Sequence, residues 1–153
     1  CALPISIAVL PFDNMSADAE QAFFADGISE DIITELSKFR SLFVIARNSS
    51  FAFKGQSVDV KEVSRKLGVR YVVEGSVRRS GNRVRVTAQL IDALDDKHLW
   101  AERYDRELED IFAVQDEVTE AIVSTIEPHL ASTERQRARR KPTASLEIGR
   151  VHV

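Results

Sequence analysis

Four arginines, Arg78, Arg79, Arg83 and Arg85, fall within eight positions of the stretch EGSVRRSGNRVRV, residues 74–86. Clustered guanidinium groups bind phosphate or carboxylate through paired N–H donors, so the stretch is either a nucleic-acid grip or the wet face of a hairpin. A two-residue turn at Gly81-Asn82, residue types that tolerate positive φ, favours the hairpin. It sets Arg79 opposite Val84, Val77 opposite Val86, Gly75 opposite Ala88 and Val73 opposite Leu90, an almost wholly apolar face. The other face pairs Ser80 with Arg83, Arg78 with Arg85, Ser76 with Thr87 and Glu74 with Gln89. A register that sorts core from solvent in this way is strongly specified, and the arginines are mostly its solvated side. Arg78 facing Arg85 costs a few tenths of a kcal/mol up to ~1, and Glu102, Asp105 and Glu107 on the next strand are available to offset it. Sheets that bind nucleic acid usually add exposed aromatics for base stacking, and this polar face offers none. Arg78 and Arg85 are therefore a candidate partner surface, and no nucleic-acid partner is expected.

Other chemistry finds less support. His98, His129 and His152 are widely separated, and none has a partner at metal-ligand spacing. Asp92, Asp95 and Asp96 crowd one turn but lack the glycine and distal glutamate of an EF-hand loop, which leaves turn chemistry. There is no phosphate-cradling glycine loop and no G-x-S-x-G elbow. Nothing arranges a serine and an acid as nucleophile and base. The expectation is no catalytic residue, no cofactor and no metal. Arg47, Asn48 and Ser49 join a cation, an amide and a hydroxyl at the end of a parallel strand, where α/β folds bind ligands; local capping bonds are the plainer reading. Trp100, the only tryptophan, packs on the sheet or contributes to a partner surface, since tryptophan is enriched at interface hot spots.

These residues have to be held by an ordinary globular chain. It has 153 residues, 44% hydrophobic and 29% charged, with net charge −3. That balance gives no global attraction to nucleic acid or anionic lipid. Cys1 is the sole cysteine, so no intrachain disulfide forms. Only Ala2, Leu3 and Pro4 separate Cys1 from the first strand, which reads as a fragment boundary rather than a lipidated N-terminus. No apolar run approaches the ~18 residues of a membrane span.

The elements follow from periodicity. ISIAVLPF, residues 5–12, reads as a buried strand stopped by proline. Phe24, Ile28, Ile32, Leu36 and Phe39 repeat at helical spacing, with Gly27 dividing a short first turn from a main helix capped by Ser29. LFVIAR, residues 42–47, is a second strand, and residues 48–57 are a loop holding two phenylalanines, part of which packs inward. Asp59 starts a helix with Glu62 completing a capping box, and Gly68 stops it. Three strands follow as an antiparallel meander. A last helix from about Glu109 presents Ile111, Val114, Val118, Ile122 and Ile126, and Pro128 ends or kinks it. The basic run RQRARRK, residues 135–141, is expected to be a solvated extension that does not dock. The order β-α-β-α-β-β-β-α gives an α/β fold, one mixed sheet, parallel at the start and then an antiparallel meander, covered by helices. The expected division is a domain over 1–130 and a charged helical tail over 131–153.

Taken together, IAVLPFDNMS, FFADGISEDIITELS, LFVIARNSSFAFKG, VDVKEVSRKLGVRYVVEGSVRRSGNRVRVTAQLIDA, HLWAERYDREL and DIFAVQDEV resemble the TolB-N-terminal-like α/β domain, which is similar to the flagellar lipoprotein FlgO. The resemblance covers roughly residues 4–142, and its motifs are structural. It implies a module of proteobacterial signalling proteins, set between a class III adenylate/guanylate cyclase or a CadC-like winged-helix domain and tetratricopeptide repeats. A membrane helix often precedes it there. The implied partners are proteins: the flanking domains, another signalling or envelope protein, or a second copy. Membrane contact would come only through an upstream segment, with the periplasmic side favoured. The family commonly carries a glycine in the turn where this chain has Asp96 or Lys97. The residues after RRKP do not look like a first repeat helix. A non-catalytic interaction or sensory module is expected, with a small-ligand sensor and a nucleic-acid binder as the alternatives.

Overall fold

The computed structural model describes the backbone of residues 5–16, 19–56 and 59–151, and the side chains of all of these but Glu20 and 140–151. Strand β1 (Ile5–Val9) and the two-residue β2 (Asp13–Asn14) precede helix α1 (Ala19–Leu36). Strand β3 (Leu42–Val44), the single-turn helix α2 (Arg47–Phe51) and helix α3 (Val60–Leu67) follow. The meander is β4 (Tyr71–Ser80), β5 (Arg83–Asp92) and β6 (Lys97–Glu107), and α4 (Ile111–Val151) closes the chain. The sheet order is β3-β1-β4-β5-β6, with β2 also on β4. β3, β1 and β4 run parallel and β4, β5 and β6 antiparallel. This is the mixed sheet expected from the sequence, with β2 and α2 added. Both are too short to show a period.

The sheet has a core on each face. Ile7, Val9, Tyr71, Val73, Val77, Val86 and Leu90 meet α1 and α4 through Phe24, Ile28, Ile32, Val118, Ile122, Ile126 and Leu130. On the other face Ala8, Leu10 and Val72 meet Val63 of α3. The β4–β5 register matches the expected one at every pair, from Val73↔Leu90 to Ser80↔Arg83. Of the two turn residues only Gly81 takes φ > 0, at 60°, the pattern of a II′ hairpin turn. Asp96 takes φ 52° and is the only described non-glycine residue with φ > 0, which places a left-handed residue in the turn where the family's glycine is expected.

Local chemistry corrects four expectations. Helix α1 runs unbroken through Gly27, whose role is space: a Cβ there would stand 2.7 Å from Gln115 Oε1 of α4. Ser29 is no N-cap. It is buried, donates to the Ala25 carbonyl (2.9 Å) and accepts the Phe12 amide (2.8 Å). Asp59 does cap α3, accepting from the Lys61 N–H at 3.1 Å, but Glu62 pairs with Arg65 at 2.9 Å instead of closing a box. Gly68 takes φ 69° and its N–H bonds the Ser64 carbonyl. Asp59→Ala is expected to cost about 0.5–2 kcal/mol in a urea melt, the usual loss for a capping side chain.

The fourth correction concerns α4. Pro128 does not end it. Pro128 and Ser124 are exposed while Ile126 and Leu130 are fully buried. The carbonyl that loses its i+4 donor is thus on the solvent side, and packing on the inner side offsets the ~3 kcal/mol proline penalty. Ile111, expected in the apolar stripe, is 36% exposed.

Candidate functional site

Adjacent strands β1 and β3 send their connections to opposite faces: α1 packs in one core and α3 in the other. Such a switch point opens a crevice at the strands' carboxyl ends. A cleft of ≈ 690 Å³ lies beyond the carboxyl end of β1, on the side of β4 and away from β3, within the usual range for small-molecule sites. Its walls are residues 10–15 after β1, the α1 face of Ala22, Ala25 and Asp26, and the turn 53–56. Its floor is the open sheet face, where Glu74 and Ser76 of β4 lie beside Thr87 and Gln89 of β5. Lys54 pairs with Asp26, tying the turn to α1.

Glu74 is the unusual member. It is half-buried, and among the described residues no cation stands within ion-pair distance of it. The Gln89 amide donates to it at 3.2 Å, and Gln89 Oε1 faces His98 Nδ1 at 3.0 Å. A carboxylate, an amide and an imidazole thus run across three strands. Burial, opposed by His98 and assisted by Asp13, raises the Glu74 carboxyl above its ordinary 4.5. A raised folded value means that protonated Glu74 favours the fold at low pH, an advantage lost as pH rises through that value. Glu74→Gln is therefore expected to raise the melting temperature at pH 7, with the gain vanishing as pH falls below 4.5.

A second polar constellation lies at the opposite end of the sheet. Asp92, its side chain 2% exposed, accepts Arg137 Nη2 at 2.8 Å and Arg70 Nη2 at 3.2 Å. Its other oxygen accepts the Leu94 and Asp95 amides, the turn chemistry expected of this acidic cluster. Arg137 also donates to the Tyr71 hydroxyl at 2.7 Å and pairs with Glu134, to which Tyr71 donates. Burial, then the Glu134 bond, push the Tyr71 phenol up to about 12, so it remains a neutral donor at physiological pH. The basic run was expected not to dock. Instead Glu134 and Arg137 latch α4 to the sheet at the end where β1 begins.

The sequence-predicted residues fall in separate places. Arg47 opens α2, pairs with Glu30 at 3.2 Å and stacks on Phe51 at 4.3 Å. Asn48 and Ser49 are exposed beside it, and none of the three lines the cleft. Arg78 and Arg85 face each other on the open sheet, where Arg85 is matched by Asp105 at 2.7 and 3.3 Å; the bond to Arg85 lowers the Asp105 carboxyl. Trp100 is partly buried against the main core, opposite Leu90. His98 and His129 are exposed, and His152 lies outside the described residues. Among the described residues no group of three or more His, Cys, Asp or Glu is placed to hold a metal, and no helix is long and apolar enough to cross a membrane. Sequence reasoning missed Glu74 and Arg137 as site members. A lone acid between buried valines, and an arginine one helical turn after Glu134, were the available signals.

The mixed α/β fold agrees with the protein comparisons. Residues 3–121 match the family model of the HilA/YgeH-like transcriptional regulator, second domain, and the chain belongs to that family. A Rhizobium meliloti (strain 1021) protein named "Putative adenylate cyclase 3" is 67% identical over 132 residues, 86% of this chain and 22% of that protein. The chain thus spans 22% of the length of this curated relative. Among solved structures, lipoprotein GNA1162 from Neisseria meningitidis is similar with TM-score 0.58 and 21% identity, over 81% of this chain and 97% of that one. TolB from Acinetobacter baumannii gives 0.54 and 20% over 79% and 28%. The PelC dodecamer from Paraburkholderia phytofirmans gives 0.53 and 20% over 82% and 87%. At these identities the structures establish the fold alone, which is TolB-like.

Proposed function

We propose that the chain is a non-catalytic interaction or sensory module of a larger bacterial regulatory protein. One observation carries this. The same module is the second domain of a family of transcriptional regulators and also makes up 22% of a protein named for adenylate cyclase. What two such outputs share is neither cyclization nor DNA binding, so the shared part is read as the regulating one. On this reading it adjoins a cyclase or winged-helix domain and tetratricopeptide repeats, is kin to FlgO-like lipoproteins, and belongs to a membrane-anchored parent. Its partners are proteins. The latch supports the reading: β1 enters and α4 leaves at one end of the sheet, where Arg137, Asp92 and Arg70 fix the helix.

A small-ligand sensor is the second reading, and the cleft beyond β1 favours it. The nucleic-acid reading is weakened because Asp105 meets Arg85. Purified chain with ATP or GTP and Mg²⁺ or Mn²⁺ should form no cyclic nucleotide above a protein-free control. Turnover that follows the chain through purification would overturn the proposal.

A further inference from the structure

We propose that the exposed edge of β6 pairs antiparallel with β6 of a second copy of this chain, with Tyr104 on the two-fold axis. The inference goes beyond the regulatory reading and stands without it, because the strands pair whether or not a flanking domain responds.

The sheet ends in two edges of unequal length. β3 offers three residues and β6 eleven, none of them proline. The irregularity in the β5–β6 ladder falls at Leu90/Ile91, so 100–107 is regular. A long regular edge is a template for strand addition. The Leu108 N–H points inward, to the Asn82 carbonyl at 2.7 Å. The Arg103 N–H instead donates to Glu102 Oε1 at 3.1 Å, and the Asp105 carbonyl accepts Arg106 Nη1 at 2.9 Å. Odd-numbered residues of β6 therefore turn their backbone groups outward, and among the described residues no backbone group from outside the sheet meets them. Helix α4 leaves the edge open: Ala101, Glu102 and Arg103 are exposed. It reaches β6 through Glu117 on Arg106 and Thr125 on Tyr104, and its neighbouring positions on that side are the short Ala121 and Ser124.

Charge selects a second copy as the occupant. Opposite residues of an antiparallel pair share a face, so a two-fold axis normal to the sheet sets one residue opposite itself. With Tyr104 there, Glu102 lies opposite Arg106 of the second copy and Arg103 opposite its Asp105, each twice. Arg103 and Asp105, both turned outward, then exchange backbone bonds, and Ala101 and Glu107 form the next such pair. Centring on 102, 103, 105 or 106 would instead set two like charges face to face, which destabilises a pair of strands. Glu102 also has no cation within ion-pair distance among the described residues, so the second copy supplies its first.

Sedimentation equilibrium of the whole chain is expected to show a monomer–dimer equilibrium. Glu102→Arg and Arg106→Glu should each weaken it at least about tenfold, because two attractive pairs become repulsive. An equimolar mixture of the two variants should pair to within about threefold of wild type, since every residue 102 again meets the opposite charge at 106. Circular dichroism melts show that each variant is folded, and Glu102→Arg should melt as wild type does. A wild-type chain still monomeric at ~1 mM, where even a millimolar Kd would show, would overturn the proposal. So would an unchanged dimer in Glu102→Arg or no recovery in the mixture.

Discussion

A chain ending after Phe112 is expected not to fold, whereas one ending after Leu130 should fold with reduced stability. Val114, Val118, Ile122, Ile126 and Leu130 are all buried against α1 and the sheet. Five such side chains carry roughly 7–15 kcal/mol of transfer free energy before entropy is subtracted, as much as the net stability of a whole domain. The shorter chain loses all of it and exposes Val73, Val86 and Leu90 to water. The longer chain keeps the stripe and loses only the Glu134–Arg137 latch. Circular dichroism melts of the two truncations give the check: no cooperative transition for the first, and a cooperative but lower one for the second.

Asp92→Ala is expected to cost about 2–4 kcal/mol. Breaking a fully buried ion pair costs ~3–5 kcal/mol because the surviving charge is stranded. Here Arg70 and Arg137 are 25% and 23% exposed and can recover part of their hydration, so the figure falls below that range. Two guanidinium groups would nevertheless face one another across the vacated carboxylate, and the Leu94 and Asp95 amides would lose their acceptor. Arg137→Met should cost less, since it removes the burial of one charge along with its bonds and leaves Asp92 with Arg70. Urea denaturation measures both. Amide exchange of residues 131–139 should quicken in both variants, with 114–126 still slow. Equal stability of wild type and Asp92→Ala would show that the latch contributes nothing.

The fold was legible where a pattern had a period. Alternation over ten residues determined the β4–β5 register, because a one-residue slip would have turned Val73, Val77, Val86 and Leu90 to solvent. Asp59 and Gly68 marked the ends of α3 because their backbone roles are local. What failed needed tertiary knowledge. Gly27 looked like a break because glycine is poor in helices, but its missing side chain admits Gln115. Pro128 looked like a stop because its cost is local and the burial that outweighs it is not. Arg137 looked solvated because its partner Asp92 is 45 residues away. The cleft was not legible: the strand end singled out in the sequence, at Arg47 to Ser49, forms α2 and does not line it. Glu74 was set on the polar face of the hairpin, and its half-burial depends on walls supplied by residues 10–15 and 53–56.

Cyclic-AMP formation by the whole Rhizobium meliloti relative, with and without its 132-residue matching segment, separates a regulating domain from a catalytic one. The protein lacking the segment is expected to form cyclic AMP still, at a rate altered from that of the whole, while the segment alone forms none. An unchanged rate on excision, or turnover by the isolated segment, would contradict the regulatory reading.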